Sequence, residues 1–157
     1  MKNREAMNYK MDDDYLLEKV APVFDKTGRE YYLEIHYFYN SEGKIVFKLI
    51  RKGRNCQVGK ASCLFKKTEE IFLADIFLEN NLAFESIDDK IFKILHWGEP
   101  KNYRGKGLGS YLLRKMIEVA RNQGIKKIYG DIEAEDLKAT PYLIDWYKSF
   151  GFKKERG

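Results

Sequence analysis

Tyr103-Arg104-Gly105-Lys106-Gly107-Leu108-Gly109-Ser110-Tyr111-Leu112-Leu113 is the stretch from which the rest of the chain is best read. Its three glycines let the backbone turn tightly and approach a ligand with no Cβ in the way. The residues that follow predict a helix. Leu108, Leu112, Leu113, Met116, Ile117, Val119 and Ala120 form an apolar stripe, Arg114, Glu118 and Arg121 lie opposite, and Gly124 supplies a left-handed stop. A glycine loop that opens a helix offers unpaired N–H groups and the positive end of the helix dipole, which together make a phosphate cradle. Arg104 and Lys106 add side-chain charge, and an arginine can grip phosphate in a bidentate fork. Two common phosphate loops do not match. A Walker A loop needs GxxxxGK followed by Ser or Thr, and a dinucleotide fingerprint needs GxGxxG, whereas Gly105, Gly107 and Gly109 run GxGxG.

Charge distribution agrees with a local anionic ligand. The chain has 157 residues, with 29 basic and 24 acidic side chains and a net charge of +5. From Lys101 to Lys127 eight basic residues face one acid, Glu118, so this segment carries +7 and the remainder −2. The length suits one domain of the usual ~100–200 residues. With 44% hydrophobic and 15% aromatic residues the chain can bury a core, which excludes disorder as its main state. No run of about 18 apolar residues is present, and Met1 to Glu5 lead into Asp12-Asp13-Asp14 instead of an apolar signal core, so a cytoplasmic protein is expected. Cys56 and Cys63 have no CxxC partner and no histidine at ligand spacing, which argues against structural zinc; no metal is expected. If both sit in one strand, their odd separation places them on opposite faces, which also argues against a disulfide.

Working towards the N-terminus, Tyr15, Leu16, Leu17, Val20, Val23 and Phe24 are compatible with a short amphipathic helix limited by Pro22. Tyr31 to Tyr39 and Ile45 to Ile50 read as strands around the turn Ser41-Glu42-Gly43, and Gln57 to Phe65 and Ile71 to Leu78 as two more, giving a meander over residues 1–79. Residues 80–101 form a variable segment in which helix and strand patterns compete. In the remaining part, residues 102–157, the loop and its helix precede an alternating strand from Lys127 to Ala134 and a second helix opened by Thr140-Pro141 and closed by Gly151. The predicted class is α+β (α/β), a mixed, mostly antiparallel twisted sheet flanked by helices.

The stretch from Arg104 to Ser110 resembles the acyl-CoA pyrophosphate loop of the GNAT N-acetyltransferase superfamily, whose pattern is Arg or Gln, two residues, Gly, one residue, and Gly or Ala. Trp146-Tyr147-Lys148-Ser149-Phe150-Gly151-Phe152 is similar to the terminal helix of that family and its Gly-Phe exit. Leu73-Ala74-Asp75-Ile76-Phe77-Leu78 resembles the strand that precedes the loop and offers backbone groups to the acyl arm. Three departures stand beside the match. About twenty residues, Asn80 to Lys101, separate that strand from the loop, so either they are an insertion or Phe92 to Trp97 is the true strand. Thr140-Pro141 replaces a frequent Asn, and little chain follows Phe152 for a last strand.

The resemblance implies direct transfer of an acetyl group from acetyl-CoA to a primary amine. Arg104, Gly105, Lys106, Gly107, Leu108, Gly109 and Ser110 would hold the cofactor diphosphate, and the backbone of Ile76 to Leu78 the thioester. Such a reaction needs a base for the ammonium, an N–H for the developing oxyanion and a proton for the departing thiolate. Tyr147 occupies the position of the proton donor. Asp75, Glu79, Asp131 and Glu133 are the candidate bases, with Asp75 and Glu133 the preferred pair; His36 and His96 read as structural. Two other readings compete: a non-catalytic acyl-CoA-binding module, and a basic nucleic-acid-binding protein, for which no helix-turn-helix, zinc-finger or RRM signature exists. Expected partners are acetyl-CoA, an amine and, across an open sheet edge, a second copy of the chain; a membrane is not among them.

Overall fold

Alternation at period two builds most of the molecule. The computed structural model describes residues 9–12, 14–39, 43–54, 56–67, 69–78 and 107–155. Its strands are β1 (Tyr9–Asp12), β2 (Tyr15–Phe24), β3 (Glu30–Phe38), β4 (Lys44–Arg51), β5 (Cys56–Lys67), β6 (Glu70–Leu78) and β7 (Lys127–Tyr129). Its helices are α1 (Leu108–Asn122), α2 (Ala134–Ala139) and α3 (Leu143–Lys148). In β3, Tyr31, Leu33, Ile35 and Tyr37 are buried while Tyr32, Glu34, His36 and Phe38 on the other face are half-buried. That alternation fixes register, because a one-residue slip would expose the whole buried set.

The strands lie in one seven-stranded sheet in chain order. β1 to β6 pair antiparallel, β3 to β6 as the meander reading expected, and β6 pairs parallel with β7 after the chain crosses through α1. The stripe of α1 closes the core: Leu108, Leu112, Leu113 and Met116 are at most 1% exposed and pack with Leu33, Ile35, Phe47, Leu49 and Ile71. Truncating one of these leucines to alanine removes about 2–5 kcal/mol by the usual cavity cost. At the helix end, Ile125 N–H donates to Ala120 O at 2.9 Å and Gly124 N–H to Arg121 O at 3.0 Å, a Schellman pair made by Gly124 at φ +77°.

Several expectations are corrected. Tyr15 to Phe24 is strand β2 and not a helix; its pairing with β3 supplies backbone partners along the segment, and Pro22 sits in the register shift between Val20 and Val23. The strand expected over Lys127–Ala134 stops at Tyr129, because Glu133 already begins a helix: its side chain accepts from the backbone N–H of Asp136, and its own N–H donates to Asp136 Oδ2 at 2.9 Å. The resulting helix α2 was not expected, nor was β1. The helix expected from Thr140-Pro141 begins at Leu143, after a turn closed by Leu143 N–H to Thr140 O at 3.1 Å. Gly151, at φ +97°, does close it, with Phe152 N–H to Tyr147 O and Gly151 N–H to Lys148 O.

The two cysteines do not lie on opposite faces. A register shift opposite Leu49 and Ile50 inserts Val58 into β5, so Val58 and Gly59 are both buried and Cys56 packs on the same core that holds Cys63. Both thiols are free. Among the described residues after Phe152 no strand is formed. The variable segment 80–101, the alternative strand at Phe92 to Trp97, and His96 lie outside the described residues.

Candidate acyl-CoA site

β6 and β7 pair only over Glu70–Phe72 and Lys127–Tyr129. Gly130 marks where they part. A Cβ there would come within 2.9 Å of Leu73 O, so glycine lets β7 press against β6 just before the chain turns away. From Leu73 to Leu78 β6 keeps only its pairing with β5, which leaves its other backbone edge free of strand partners among the described residues.

A bulge re-aims the side chains on that free stretch. β5–β6 pairing shifts between Ser62 and Cys63, where Ala74 is the extra residue. Before it the odd positions Ile71 and Leu73 face the core; after it the even positions Ile76 and Leu78 pack inward, and Ala74 and Asp75 are both exposed. Leu78 ends against the start of α1. A Cβ on Gly109 would lie 3.7 Å from Leu78 Cδ1 and 3.7 Å from Trp146 Cζ2, and one on Gly59 would lie 2.7 Å from Leu78 Cδ2. Trp146 Nε1–H donates to Ser110 Oγ at 3.2 Å, tying α3 to the same helix start. Gly59 and the Trp146–Ser110 tie were not singled out from the sequence, although an isolated glycine inside the Cys56–Lys67 strand is a usual sign of close approach.

The N-terminus of α1 is left without a cap of its own. Gly107 holds φ +85°, and Tyr111 N–H to Gly107 O at 3.0 Å is the first bond of the helix. No side chain caps this end and no acid occupies its first turn. The N–H groups of Leu108, Gly109 and Ser110 therefore lack intrahelical acceptors. These features fit a diphosphate. Arg104, Gly105 and Lys106 lie outside the described residues.

Tyr147 is half-buried on α3, its ring edge-on to Trp146 at 4.9 Å and to Phe152 at 5.5 Å. Burial first, then the charges of Asp136 and Cys63, push its phenol up to about 12. The Cys63 thiol is also pushed up to about 12, by burial and then by Asp75. Tyr147 and Asp75 thus lie within electrostatic reach of one buried thiol. Glu133 stands exposed at the start of α2 in its capping box. Asp131 is exposed, and Glu79 lies outside the described residues. His36 is structural in kind: Tyr15 Oη and its Nδ1 are 2.6 Å apart, and its Nε2 is 3.0 Å from Glu34 Oε1. Among the described residues no group of three metal-ligating side chains exists. No helix there is long and apolar enough to cross a membrane.

These burials carry an alkaline prediction. Burial, followed by Glu118, also raises the Tyr111 phenol to about 12, with Arg114 opposing. A group whose folded pKa is raised keeps its full contribution below its unfolded value and loses it as pH climbs to the folded one. Stability should therefore be level up to about pH 9, the ordinary thiol value, and fall between there and about pH 12. The slope is at most ~1.4 kcal/mol per pH unit for each group. Urea unfolding from pH 8 to 11.5 measures it, and a flat profile would refute the burial of these groups.

The acetyltransferase (GNAT) family profile matches residues 9–152. The chain belongs to that family. Among curated proteins none matches the sequence significantly. Solved structures with similar backbones include YycN of Bacillus subtilis, 20% identical over 73% of this chain and 58% of that one, TM-score 0.49. An acetyltransferase of Trypanosoma brucei is 18% identical over 73% and 65%, TM-score 0.46. The aminoglycoside N-acetyltransferase AAC(6')-Iy, solved with CoA, is 15% identical over 76% and 66%, TM-score 0.49. The chain thus spans 58–66% of the length of these three.

Proposed function

We propose that the chain transfers an acetyl group from acetyl-CoA directly to a primary amine. The observation that carries this reading is the uncapped N-terminus of α1 standing beside the free edge of β6. Acetyl-CoA, when bound, supplies the activated acyl group and a thiol leaving group. The N–H groups of Leu108, Gly109 and Ser110, with Gly107 making the turn and Arg104, Gly105 and Lys106 completing the loop, hold its diphosphate. Backbone N–H groups of Ile76 to Leu78 bind the acyl arm and the thioester oxygen, so the identity of those side chains matters less than their extended backbone.

Tyr147 keeps its proton throughout the neutral range and can deliver it to a thiolate. Asp75, exposed at the bulge, takes the proton that makes the amine nucleophilic; Glu133, already engaged at its helix start, is the second candidate. A cytoplasmic location and pairing of two copies across a sheet edge belong to the same reading.

Calorimetric titration with acetyl-CoA, CoA and ATP tests it. Heat with both CoA forms and none with ATP is expected, followed by thiol release with a member of an amine panel. Absence of heat with acetyl-CoA overturns the reading, and binding without turnover on any amine points to a non-catalytic acyl-CoA-binding module.

A further inference from the structure

We propose that Lys26, in the turn between β2 and β3, is a second cation for the cofactor diphosphate, held in place by Asp25; this rests on the reading above. The stem of Lys26 lies along the residue that opens α1. A Cβ on Gly107 would stand 3.3 Å from Lys26 Cε, 3.5 Å from Cγ and 3.8 Å from Cδ. The ammonium is one bond beyond Cε, on an exposed side chain.

That placement is electrostatically wrong for the protein alone. Cations are favoured at helix C-termini, and here a lysine is set against the positive end of a 15-residue helix. No acid in the first turn of α1 compensates it, and among the described residues Lys26 has no carboxylate partner. An anion between ammonium and helix start turns both charges to advantage. Because the Lys26 stem borders the residue that opens α1, the phosphate group it serves is the diphosphate and not a more distant one.

The turn is fixed by the adjacent residue. Asp25 is 7% exposed and accepts five hydrogen bonds: Thr27 N–H at 2.8 Å, Thr27 Oγ1–H at 2.6 Å, Arg29 N–H at 3.0 Å, Arg29 Nε–H at 3.1 Å and Tyr31 Oη–H at 2.6 Å. Burial alone would raise its carboxyl, but the bonds from Thr27, Tyr31 and Arg29 outweigh it and hold the pKa at about 2. A charged, fully engaged carboxylate therefore sets the direction in which Lys26 leaves the turn. Asp25 is a positioning residue.

The test is titration of wild type, Lys26→Met, Lys26→Glu and Asp25→Asn with CoA, dephospho-CoA and pantetheine. Lys26→Met should weaken CoA and dephospho-CoA alike by roughly five- to twentyfold, and Lys26→Glu more, with pantetheine unchanged. Asp25→Asn should weaken CoA in the wild-type background but add little to Lys26→Met, a coupling that independent structural damage would not produce. Equal CoA affinity in wild type and Lys26→Glu overturns the proposal, as does a loss seen with CoA but not dephospho-CoA. If wild type itself binds no CoA, the functional reading has failed first.

Discussion

Gly107→Val is expected to weaken CoA binding by at least a hundredfold while lowering Tm by only a few degrees. Gly107 sits at φ +85°, where a β-branched residue is strained by more than the ~1–2 kcal/mol typical of L-residues. Its Cβ would also press on the Lys26 stem at 3.3 Å. Relief requires φ to change sign, and the N–H groups of Leu108 to Ser110 turn with it. The fold survives because α1 is held by Leu108, Leu112, Leu113 and Met116, all at most 1% exposed. Gly124→Val is the control. It has the same kind of strain, φ +77° with nothing within 4 Å of a Cβ, at the far end of the same helix. It should cost stability and leave CoA affinity unchanged. Calorimetry and thermal melts on both variants separate cradle geometry from helix strain, and normal CoA affinity in Gly107→Val would remove this loop from the site.

The elements read correctly from sequence are those whose pattern has one solution. β3 alternates without interruption, and α1 carries a wide apolar stripe bounded by glycines. β2 escaped because Leu16, Val20 and Val23 satisfy helical spacing as well as strand propensity; the decision is made by pairing with β3, which the spacing within the segment does not record. The bulges at Val58 and Ala74 each shift the facing parity by one residue, so the inward positions of Ile76 and Leu78 follow only from pairing with β5. α2 left a weak trace, Glu133 with Asp136 three residues on, in a segment that also alternates like a strand. The phosphate cradle was legible because its chemistry is local: glycines, cations and a helix start within eleven residues. Lys26 was not, since 81 positions separate it from Gly107 and only the packing of the β2–β3 turn brings them together.

Tyr147→Phe should lower kcat by about a hundredfold, the usual share of a positioned general acid, with KM for acetyl-CoA within about twofold. The ring does the packing, edge-on to Trp146 and Phe152, and phenylalanine keeps it. What disappears is one proton. Because burial pushes the phenol up to about 12, the wild-type acid is protonated from pH 6 to 9, so the deficit should be constant across that range. Asp75→Asn differs in form. With the proton acceptor removed, the pH profile of kcat/KM should change shape, whereas loss of the phenol leaves that shape unchanged. Trp146→Phe gives the third pattern: it breaks the 3.2 Å bond to Ser110 and should raise KM for acetyl-CoA with a smaller effect on kcat. Rates at saturating acceptor across this pH range distinguish the three. Undiminished turnover in Tyr147→Phe would assign the thiolate proton to solvent and leave Tyr147 as packing for the helix that carries Trp146.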